Sequence, residues 1–266
     1  MHDLLHLDGH DMVHGPTSPR EFASRLVHDG AGAALVSFAP EHHDRNLELS
    51  LGLLSALGPV LSVYPADGCW SDLEVRTGVD PGRTHGTGEN QLHVDLVDRA
   101  LPPRYIALYC VRDDPRGGGA SALSDLRAAS ARLSRPDRNL LEQSLFSYWA
   151  DEGVHGVGES LIRFPVLPEG EDAPIRFTSK MLPHLRHGTL LPVEADELVP
   201  RVCEAFSHLV DAAHELRSTV RLCPGQLLVF DQFRYAHGRM PLGSGQADVP
   251  VAQRRLLKQT YVGGTR

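Results

Sequence analysis

The chain of 266 residues is 41% hydrophobic and contains 25 Gly and 19 Pro, a composition that allows one sizeable core with many turns. Its formal net charge of −8 supplies no basic surface for phosphates, so we expect no nucleic-acid partner. No run approaches the roughly 18 apolar residues of a membrane span, and the polar N-terminus lacks a signal-peptide core. We therefore expect a cytoplasmic protein without a membrane partner, and the oligomeric state stays open. The cysteines are scattered without a Cys-x-x-Cys pair, which favours reduced thiols: Cys69, Cys110, Cys203 and Cys223.

The N-terminal region predicts a mixture of helix and strand. Residues 1–16 carry a histidine at every fourth position but are interrupted by glycine and proline, which favours a flexible or loosely packed arm. Thr17-Ser18-Pro19 predicts the start of a helix that runs to Gly30. A short apolar strand follows at Ala33–Phe38. The next predicted helix presents its leucines on one face: Leu47, Leu51, Leu54 and Leu57.

From Val60 onward, short apolar runs alternate with Gly, Pro and Asp clusters, the pattern of strands and turns. We expect strands at Val60–Tyr64, Leu73–Arg76, Leu92–Leu96, Tyr105–Arg112, Ser121–Leu123, Leu161–Val166, Ile175–Phe177, Val220–Leu222, Leu227–Phe230, Tyr235–Arg239 and Arg255–Val262. We expect helices at Asp125–Leu133, Arg138–Ala150 and Glu194–Arg217, the last with Pro200 in or near its first turn. Strands that pause for a helical insert and then resume favour a barrel or jelly roll with packed helices over alternating βαβ units.

Three His-x-Asp triplets are candidate metal motifs, but each is a weak signal in a chain with 15 His. His6-Leu7-Asp8 falls in the predicted arm. His42-His43-Asp44 precedes the leucine-rich helix, where a capping role is favoured over a metal role. In His93-Val94-Asp95 the strand pattern places His93 and Asp95 on one face and the neighbouring apolar residues on the other. His93 and Asp95 are therefore the candidate ligands.

His237 is the candidate third ligand. It follows a turn, an apolar strand and a second turn, and it opens a strand as His237-Gly238-Arg239. Two His and one carboxylate on one side of a metal leave open positions opposite, which suits non-haem Fe(II) that must bind a co-substrate and O₂. Zinc hydrolases also use two His and one carboxylate, so the triad alone does not select the metal.

Four segments occur in an order that resembles a known family: His93-Val94-Asp95, Gly117-Gly118-Gly119-Ala120-Ser121, Pro224-Gly225-Gln226 through His237-Gly238-Arg239, and Arg254-Arg255-Leu256-Leu257. Over roughly residues 85–262 the chain resembles the Fe(II)/2-oxoglutarate-dependent dioxygenases of the taurine dioxygenase and clavaminate synthase-like superfamily. The resemblance implies a double-stranded β-helix (a cupin-like jelly roll) and iron held by His93, Asp95 and His237. It also implies O₂-dependent oxidative decarboxylation of 2-oxoglutarate to succinate, coupled to oxidation of an unactivated C–H bond. Related halogenases replace the ligand carboxylate with a small residue, so Asp95 favours hydroxylation.

These observations predict a mainly β fold with packed helices in a single domain over residues 1–266. Residues 1–58 form the N-terminal arm with helical and strand elements. Residues 59–266 form the jelly-roll core, with a helical insert at about 124–150 and a long helix at about 194–217.

A bound dicarboxylate needs a cation, and arginine offers a planar, two-pronged donor that lysine lacks. Arg254 and Arg255 are adjacent, so only one of them can face the inside of a sheet. Arg254 would share its face with Lys258, and lysine is rarely buried. We therefore expect Arg255 to point inward, although the sequence does not exclude Arg254. The family pattern also places its oxoglutarate arginine at Arg255, and it places the hydroxyl that bonds the same carboxylate at Ser121.

Candidate substrate contacts lie near the motifs that should rim the pocket: Asn90, Arg176, Lys180, Tyr235 and Arg239. In the taurine-using branch a second arginine, four positions after the first, grips the sulfonate. Here that position is Gln259, whose amide supplies no charge, and an unpaired buried anion is costly. We therefore expect taurine and other simple sulfonates to fail, and a zwitterionic or neutral polar compound to be used.

The sequence as a whole predicts an oxygenase that hydroxylates a small polar metabolite, a free or modified amino acid of specialised metabolism. Two alternatives stay open. One is a metal-dependent cupin-type hydrolase or isomerase without an oxo-acid co-substrate, and the other is a non-catalytic small-molecule sensor.

Overall fold

The structure, a computed structural model, describes residues 4–9, 18–27, 32–76, 78–148, 153–170, 172–186, 191 and 197–264. Within these residues two sheets carry helices on their outer faces. The strands are β1 (Leu5–Asp8), β2 (Ala33–Ser37), β3 (Val60–Leu61), β4 (Ser71–Glu74), β5 (Asn90–His93), β6 (Tyr105–Arg112), β7 (Ser121–Asp125), β8 (Ser218–Val220), β9 (Gln226–Asp231), β10 (Tyr235–Arg239) and β11 (Leu256–Val262). The helices are α1 (Pro19–Val27), α2 (His43–Leu54), α3 (Leu126–Ala131), α4 (Arg135–Leu141), α5 (Met181–Arg186) and α6 (Val199–Glu215).

The predicted jelly-roll core is confirmed by the two sheets. The larger sheet has the strand order β1-β2-β9-β6-β11-β3, with β4 also paired to β11, and the smaller sheet has the order β5-β10-β7-β8. β11 pairs with β6 along one edge and with β4 and β3 in succession along the other. The chain passes repeatedly between the sheets, as a double-stranded β-helix requires, and the described strands leave the sandwich open at its edges.

Alternation along the long strands builds the core between the sheets. On β6, Ile106, Leu108 and Cys110 belong to the inner cluster, which also contains Leu123 of the opposite sheet. Tyr105 and the alternate residues after it belong to a second cluster, on the outer face beneath α1 and α2. Because both faces of β6 are buried, its sequence is an almost unbroken apolar run.

The N-terminal region differs from its prediction as a loose arm. Leu5–Asp8 forms β1, which pairs in parallel with β2, Leu5 opposite Ala34. Residues 1–3 and 10–17 lie outside the described residues. Helix α1 begins at Pro19 as predicted, and the Ser18 hydroxyl accepts a hydrogen bond from the Glu21 backbone N–H at 3.2 Å. The N-terminal elements thus extend the core sheet instead of standing apart from it.

A third cluster packs α3 to α6 against the outer face of the smaller sheet. Phe206 of α6 stacks on Phe177 with ring centroids 5.7 Å apart, and it also contacts Phe146. Pro200 lies in the first turn of α6, where its missing N–H costs nothing, as predicted. This cluster supports β5 and β10, the strands that carry the candidate ligands His93 and His237.

Several predicted elements are wrong. The stretches 161–166 and 175–177 are irregular in this described part of the chain, where pairing is limited to isolated bridges such as Phe146 with Phe164. The predicted helix at 138–150 is instead α4, which ends at Leu141, and residues 149–150 lie outside the described residues. The predicted strand at 92–96 ends at His93, because the chain turns at residues 95–98 and Leu96 adopts a φ of 57°. In the stretches 161–166 and 175–177, apolar side chains are buried from irregular backbone. Their burial produces the same apolar pattern that a buried strand would show.

The second His-x-Asp triplet begins α2 but does not cap it through a side chain. His42 occupies the N-cap position without a side-chain hydrogen bond to the helix. His43 Nδ1 lies 2.9 Å from the Tyr109 hydroxyl, which also accepts a hydrogen bond from Asn46 Nδ2 at 3.0 Å. The triplet therefore joins α2 to the core through a buried polar contact. Of the helices that the structure describes, none is long and apolar enough to cross a membrane.

Candidate active site

Three potential metal ligands meet between β5 and β10. The two strands are antiparallel, and His237 pairs directly with His93. His93 Nε2 lies 3.3 Å from Asp95 Oδ1, and His237 Nε2 lies 3.7 Å from Asp95 Oδ2. Metal–ligand bonds of about 2.1 Å at right angles place neighbouring donor atoms roughly 3 Å apart, so the three donors fit one ion. Within the described residues, this is the one group of three such side chains whose donor atoms lie within 4.8 Å of one another.

Asp95 reaches the site by a route that strand alternation did not predict. The backbone N–H of Val94 still donates to the Phe177 carbonyl at 2.8 Å, but the backbone N–H of Asp95 donates to the Gln232 side-chain oxygen at 3.0 Å. Gln232 in turn donates to the Pro103 carbonyl. The turn that starts at Asp95 folds its carboxylate back beside His93, and Gln232 fixes that turn.

Neighbouring groups orient each ligand. His93 Nδ1 lies 2.7 Å from the Gln91 carbonyl, so this nitrogen carries the proton and Nε2 presents its lone pair to the site. The His237 ring packs on Phe230 at 5.1 Å between centroids. Asp95 Oδ2 accepts hydrogen bonds from Gln259 Nε2 at 3.0 Å and from the Tyr261 hydroxyl at 2.9 Å.

The protonation states also suit metal binding. Burial and the adjacent His93 lower the pKa of His237 to about 3, so its imidazole is neutral, the form that binds a metal. Burial opposes ionisation of Asp95, but His237, His93 and the Tyr261 hydroxyl together hold its pKa well below its usual range. Burial and the nearby carboxylate raise the pKa of Tyr261 well above its usual value, so the phenol remains a hydrogen-bond donor.

An open cavity of about 620 Å³ lies over the triad. Its walls come from β4, β5, β7, β10 and β11 and from the loops around residues 64–67 and 79–85. A space of this size accommodates a small metabolite together with a dicarboxylate. The predicted site residues that line it, besides the triad, are Asn90, Ser121, Lys180, Arg239, Arg255 and Gln259.

Arg255 points into this cavity, and the predicted strand parity is confirmed. It is 6% exposed and lines the cavity with Leu257, Gln259 and Tyr261, whereas Arg254 is turned away and donates to the Val249 carbonyl. Within the described parts of the chain, no hydrogen bond or ion pair involves the Arg255 guanidinium. Burial and the neighbouring cation Arg239 lower the pKa of Arg255 to about 10. A buried arginine without a partner is energetically unfavourable, and a bound carboxylate would remove that cost, so Arg255 is a candidate anion-binding residue.

The glycine run makes room for Arg255. Gly119 has a φ of +72°, and a Cβ there would lie 3.0 Å from Arg255 Cδ and 2.6 Å from Leu242 Cδ2. A Cβ on Gly118 would lie 2.3 Å from the Gly243 backbone nitrogen. Ser121, 3% exposed, follows this run on β7 and lines the same cavity.

Asp114 holds the loops around Arg255 in place. Its carboxylate accepts hydrogen bonds from the backbone N–H groups of Arg116, Gly118 and Gly243 and from Gln246 Nε2, at 2.7 to 3.0 Å. Burial opposes its ionisation, but these four donors lower the pKa of Asp114. Since its oxygens are committed to the loops, Asp114 leaves Arg255 without a salt bridge.

Two of the predicted substrate residues lie elsewhere. Arg176 donates to the carbonyls of Val97 and Arg99 and stacks over the Phe164 ring at 5.6 Å. Tyr235 packs beneath the Arg234 guanidinium at 5.1 Å. Neither lines the cavity, so both expectations are wrong. Arg239 does line it, but its guanidinium donates to the carbonyls of Thr84 and Gly88 and so holds the 84–88 loop against the site.

Tyr261 and Gln232 are site residues that were not among the sequence-based candidates. A signal existed for Tyr261, because strand parity already placed it on the inward face with Arg255. Gln232 lies in a turn between β9 and β10, and its contact with residue 95 spans 137 positions. No local pattern could have predicted that contact.

Comparison with known proteins assigns the chain to a family. The family described as "Taurine catabolism dioxygenase TauD, TfdA family" matches residues 65–261. The chain belongs to this family. Curated relatives of this TauD, TfdA family member include L-lysine 3-hydroxylase of Catenulispora acidiphila, 26% identical over 157 residues, which are 57% of this chain and 40% of the relative. Clavaminate synthase 2 of Streptomyces clavuligerus is 26% identical over 155 residues, 57% of this chain and 44% of the relative. The matched region thus spans less than half the length of these relatives.

Solved structures share the fold of this TauD, TfdA family member. Asparagine oxygenase in complex with Fe(II), 3-hydroxyasparagine and succinate has a TM-score of 0.73 at 20% identity, over 93% of this chain and 80% of that chain. The non-heme iron oxygenase OrfP in complex with Fe and alpha-ketoglutaric acid has a TM-score of 0.71 at 18% identity, over 96% and 84% of the two chains. At these identities the similarity establishes the fold.

Proposed function

We propose that this chain is a non-haem Fe(II)/2-oxoglutarate-dependent oxygenase that hydroxylates a free or modified amino acid of specialised metabolism. One observation carries the proposal: a His-Asp-His triad and the unpaired, buried Arg255 face the same cavity. An ion with three protein ligands on one side, next to a cation suited to a carboxylate, is the arrangement that a chelating oxo acid needs. The similar proteins support the substrate class: one is an L-lysine 3-hydroxylase, one is an asparagine oxygenase in complex with 3-hydroxyasparagine, and the OrfP oxygenase has been solved in complex with (3S)-hydroxy-L-Arg.

Each part of the site has a role in this proposal. His93, Asp95 and His237 hold the iron, and Gln259 and Tyr261 orient Asp95 through its Oδ2. The chemistry that Fe(II) supplies in such a site is activation of O₂ toward a C–H bond, with 2-oxoglutarate decarboxylated to succinate. Because a carboxylate occupies the third ligand position, no place is left for a chloride ligand, so hydroxylation is favoured over halogenation.

The co-substrate is held at its far end by Arg255 and Ser121. A guanidinium donates two parallel hydrogen bonds to a carboxylate, and Ser121 adds a hydroxyl donor from β7. The absence of side chains at Gly117–Gly119 leaves space for the Arg255 side chain. The hydrogen bonds of Asp114 hold the two loops beside it in place. A hydrolase or isomerase without an oxo acid, or a small-molecule sensor, would use Arg255 only if its own ligand carried an anionic group.

A cytoplasmic location and a single domain over residues 1–266 are also part of this proposal. The four cysteines are unpaired, as expected in a reducing compartment. The N-terminal strand β2 pairs with β9 of the core, which supports a single folded unit.

The test is an anaerobic titration followed by turnover. Purified protein with Fe(II) and 2-oxoglutarate should develop a weak visible charge-transfer band, and the matched variant His237→Ala, which loses an imidazole ligand, should not. Under air, succinate release should rise when the correct L-amino acid is added from a panel. A protein that binds metal but gives no band with 2-oxoglutarate would be a hydrolase, isomerase or sensor, and the proposal would fail.

A further inference from the structure

The cavity contains a second cationic position, on the wall formed by β5. The chain has only two lysines, Lys180 and Lys258. Lys258 pairs with Asp72 and does not line the cavity, whereas Lys180 lines it together with the triad. Lys180 Nζ donates to Asn90 Oδ1 at 3.1 Å, and Asn90 is 8% exposed. The ammonium is therefore held in one direction by a buried amide rather than by a carboxylate.

The backbone fixes Lys180 relative to the metal ligands. Residues 177–179 run antiparallel to β5: Thr178 bridges His93, and the Ser179 backbone N–H and hydroxyl both donate to the Leu92 carbonyl at 3.0 Å. Lys180 follows immediately, beside Asn90, which lies three residues before His93 on the same strand. Its position is thus tied to the strand that carries the first iron ligand, and a substrate group bound there has a defined place relative to the metal.

The charges around Lys180 leave it without a counter-ion. The charged groups that act on it are Arg83, Asp95 and Asp80. In the described structure none of these carboxylates lies within 4 Å of Nζ, and Arg83 adds a second positive charge at the cavity wall. Burial and Arg83 lower the pKa of Lys180. An anion in this part of the cavity would relieve both unfavourable effects.

We infer that Lys180, oriented by Asn90 and assisted by Arg83, binds the free carboxylate of the substrate. This inference rests on the proposed function and deepens it. The cavity then has two separate anion sites: Arg255 with Ser121 for the co-substrate, and Lys180 for the substrate. The substrate is an amino acid with an ionised carboxylate, because an amide or ester offers no charge to a buried ammonium.

Neutralising Asp95 is the other role that Lys180 could have. Asp95 already accepts hydrogen bonds from two neutral donors, and its remaining oxygen faces His93. Two histidines and a carboxylate leave a divalent ion with a net charge of +1, so the loaded triad has no need of a further cation. A neutralising lysine would affect iron loading, which can be measured separately.

The experiment compares amino acids with their uncharged derivatives. Iron-loaded wild-type protein is given 2-oxoglutarate and a panel of L-amino acids, and succinate release identifies the best acid. The kcat/KM of that acid is then compared with those of its α-carboxamide and methyl ester. We expect kcat/KM to be about 10- to 100-fold higher for the acid than for either derivative, the factor that a hydrogen bond to a charged group contributes.

Variants assign that preference to Lys180. Lys180→Met should lower kcat/KM for the acid about 10- to 100-fold, mainly through KM, while the amide changes little, so the preference disappears. Lys180→Arg should keep most of the preference for the acid, because arginine carries the same positive charge. Lys258→Met is the matched control, since it removes the other lysine outside the cavity, and it should keep the wild-type preference.

The outcomes separate the inference from the proposed function. Absence of the 2-oxoglutarate charge-transfer band in wild-type protein overturns the proposed function itself. With the band present, a panel in which no amino acid stimulates succinate release overturns the amino-acid substrate class of the proposed function, and the inference with it. The Lys180 assignment alone is overturned by either of two results: equal kcat/KM for acid and amide in the wild type, or equal losses for both in Lys180→Met. If Lys180→Met does not fold, the Lys180 assignment is decided by the ratio of kcat/KM for acid and amide in the wild type and by whether Lys180→Arg retains that ratio.

Discussion

Replacing Arg255 with methionine should stabilise the free protein while it removes co-substrate binding. Arg255 is 6% exposed and, in the described structure, has no anionic partner. Burial and then Arg239 lower its pKa from 12.5 to about 10, which corresponds to roughly 3 kcal/mol of unfavourable electrostatics. The cost is present at every pH below about 10 and disappears only as the pH rises from there toward 12.5. Methionine keeps the length of the side chain and removes the charge.

The increase in unfolding free energy that Arg255→Met produces should be smaller than this electrostatic cost, because the guanidinium borders an open cavity and keeps some hydration. We expect about 1 kcal/mol, which raises the melting temperature of the metal-free protein by about 2–4 °C at neutral pH. Saturating 2-oxoglutarate with Fe(II) and without O₂ should stabilise the wild type by about 2.7 kcal/mol at a hundred times its Kd. The variant should gain almost nothing from 2-oxoglutarate, so the order of the two melting temperatures should reverse.

Thermal denaturation with and without 2-oxoglutarate measures both effects. Arg254→Met is the matched control, because Arg254 donates to the Val249 carbonyl outside the cavity. It should lower the melting temperature slightly and keep the full 2-oxoglutarate shift. A metal-free Arg255→Met protein that melts several degrees below the wild type, or one that keeps the shift, would refute the reasoning that Arg255 is an unpaired anion receptor.

The remaining predictions concern the metal, the arginine pair and the substrate. Asp95→Ala or His237→Ala should abolish succinate formation and leave the circular dichroism spectrum largely unchanged, because the triad lines an open cavity; near-normal turnover by purified Asp95→Ala would contradict the metal assignment. Arg255→Lys should raise the KM for 2-oxoglutarate about 10- to 100-fold while Arg254→Lys changes it little, and reversed effects would exchange their roles. Taurine should release no sulfite, because Gln259 supplies no charge and is bonded to Asp95, whereas Lys180 lines another wall of the cavity, beside Asn90; stoichiometric, taurine-dependent sulfite and succinate would contradict this.

Two features of the cavity bear on whether a sulfonate can be a substrate. Gln259 supplies no charge at the position where the taurine-using branch has its second arginine. The structure adds Lys180 to the same cavity, so charge alone does not exclude a sulfonate. We expect the position of the anion to exclude it. A sulfonate bound at Lys180 would bring a different C–H bond to the metal than a sulfonate bound at residue 259.

Local chemistry in the sequence determined much of this protein. The apolar runs of β6 and β9 predicted strands in the centre of a buried sheet, since a strand covered on both faces is apolar along its length. Strand parity put Arg255 inside and Arg254 outside, because side chains alternate with a period of two and lysine resists burial. The three candidate metal ligands were proposed from residue type and strand pattern, and from the order of the four motifs that carry the family resemblance.

Long-range contacts decided the rest. The Asp95 carboxylate reaches the candidate metal site because a turn, held by Gln232 from 137 positions away, ends β5 early. Arg176 looked like a site residue in the sequence and is instead a buried donor to two carbonyls. Lys180 acquires its place from a short antiparallel bridge to His93 that no local pattern encodes. Local propensity and alternation act over a few residues, whereas the direction of a side chain at the end of a turn depends on what packs against it. Only the folded chain brings those partners together.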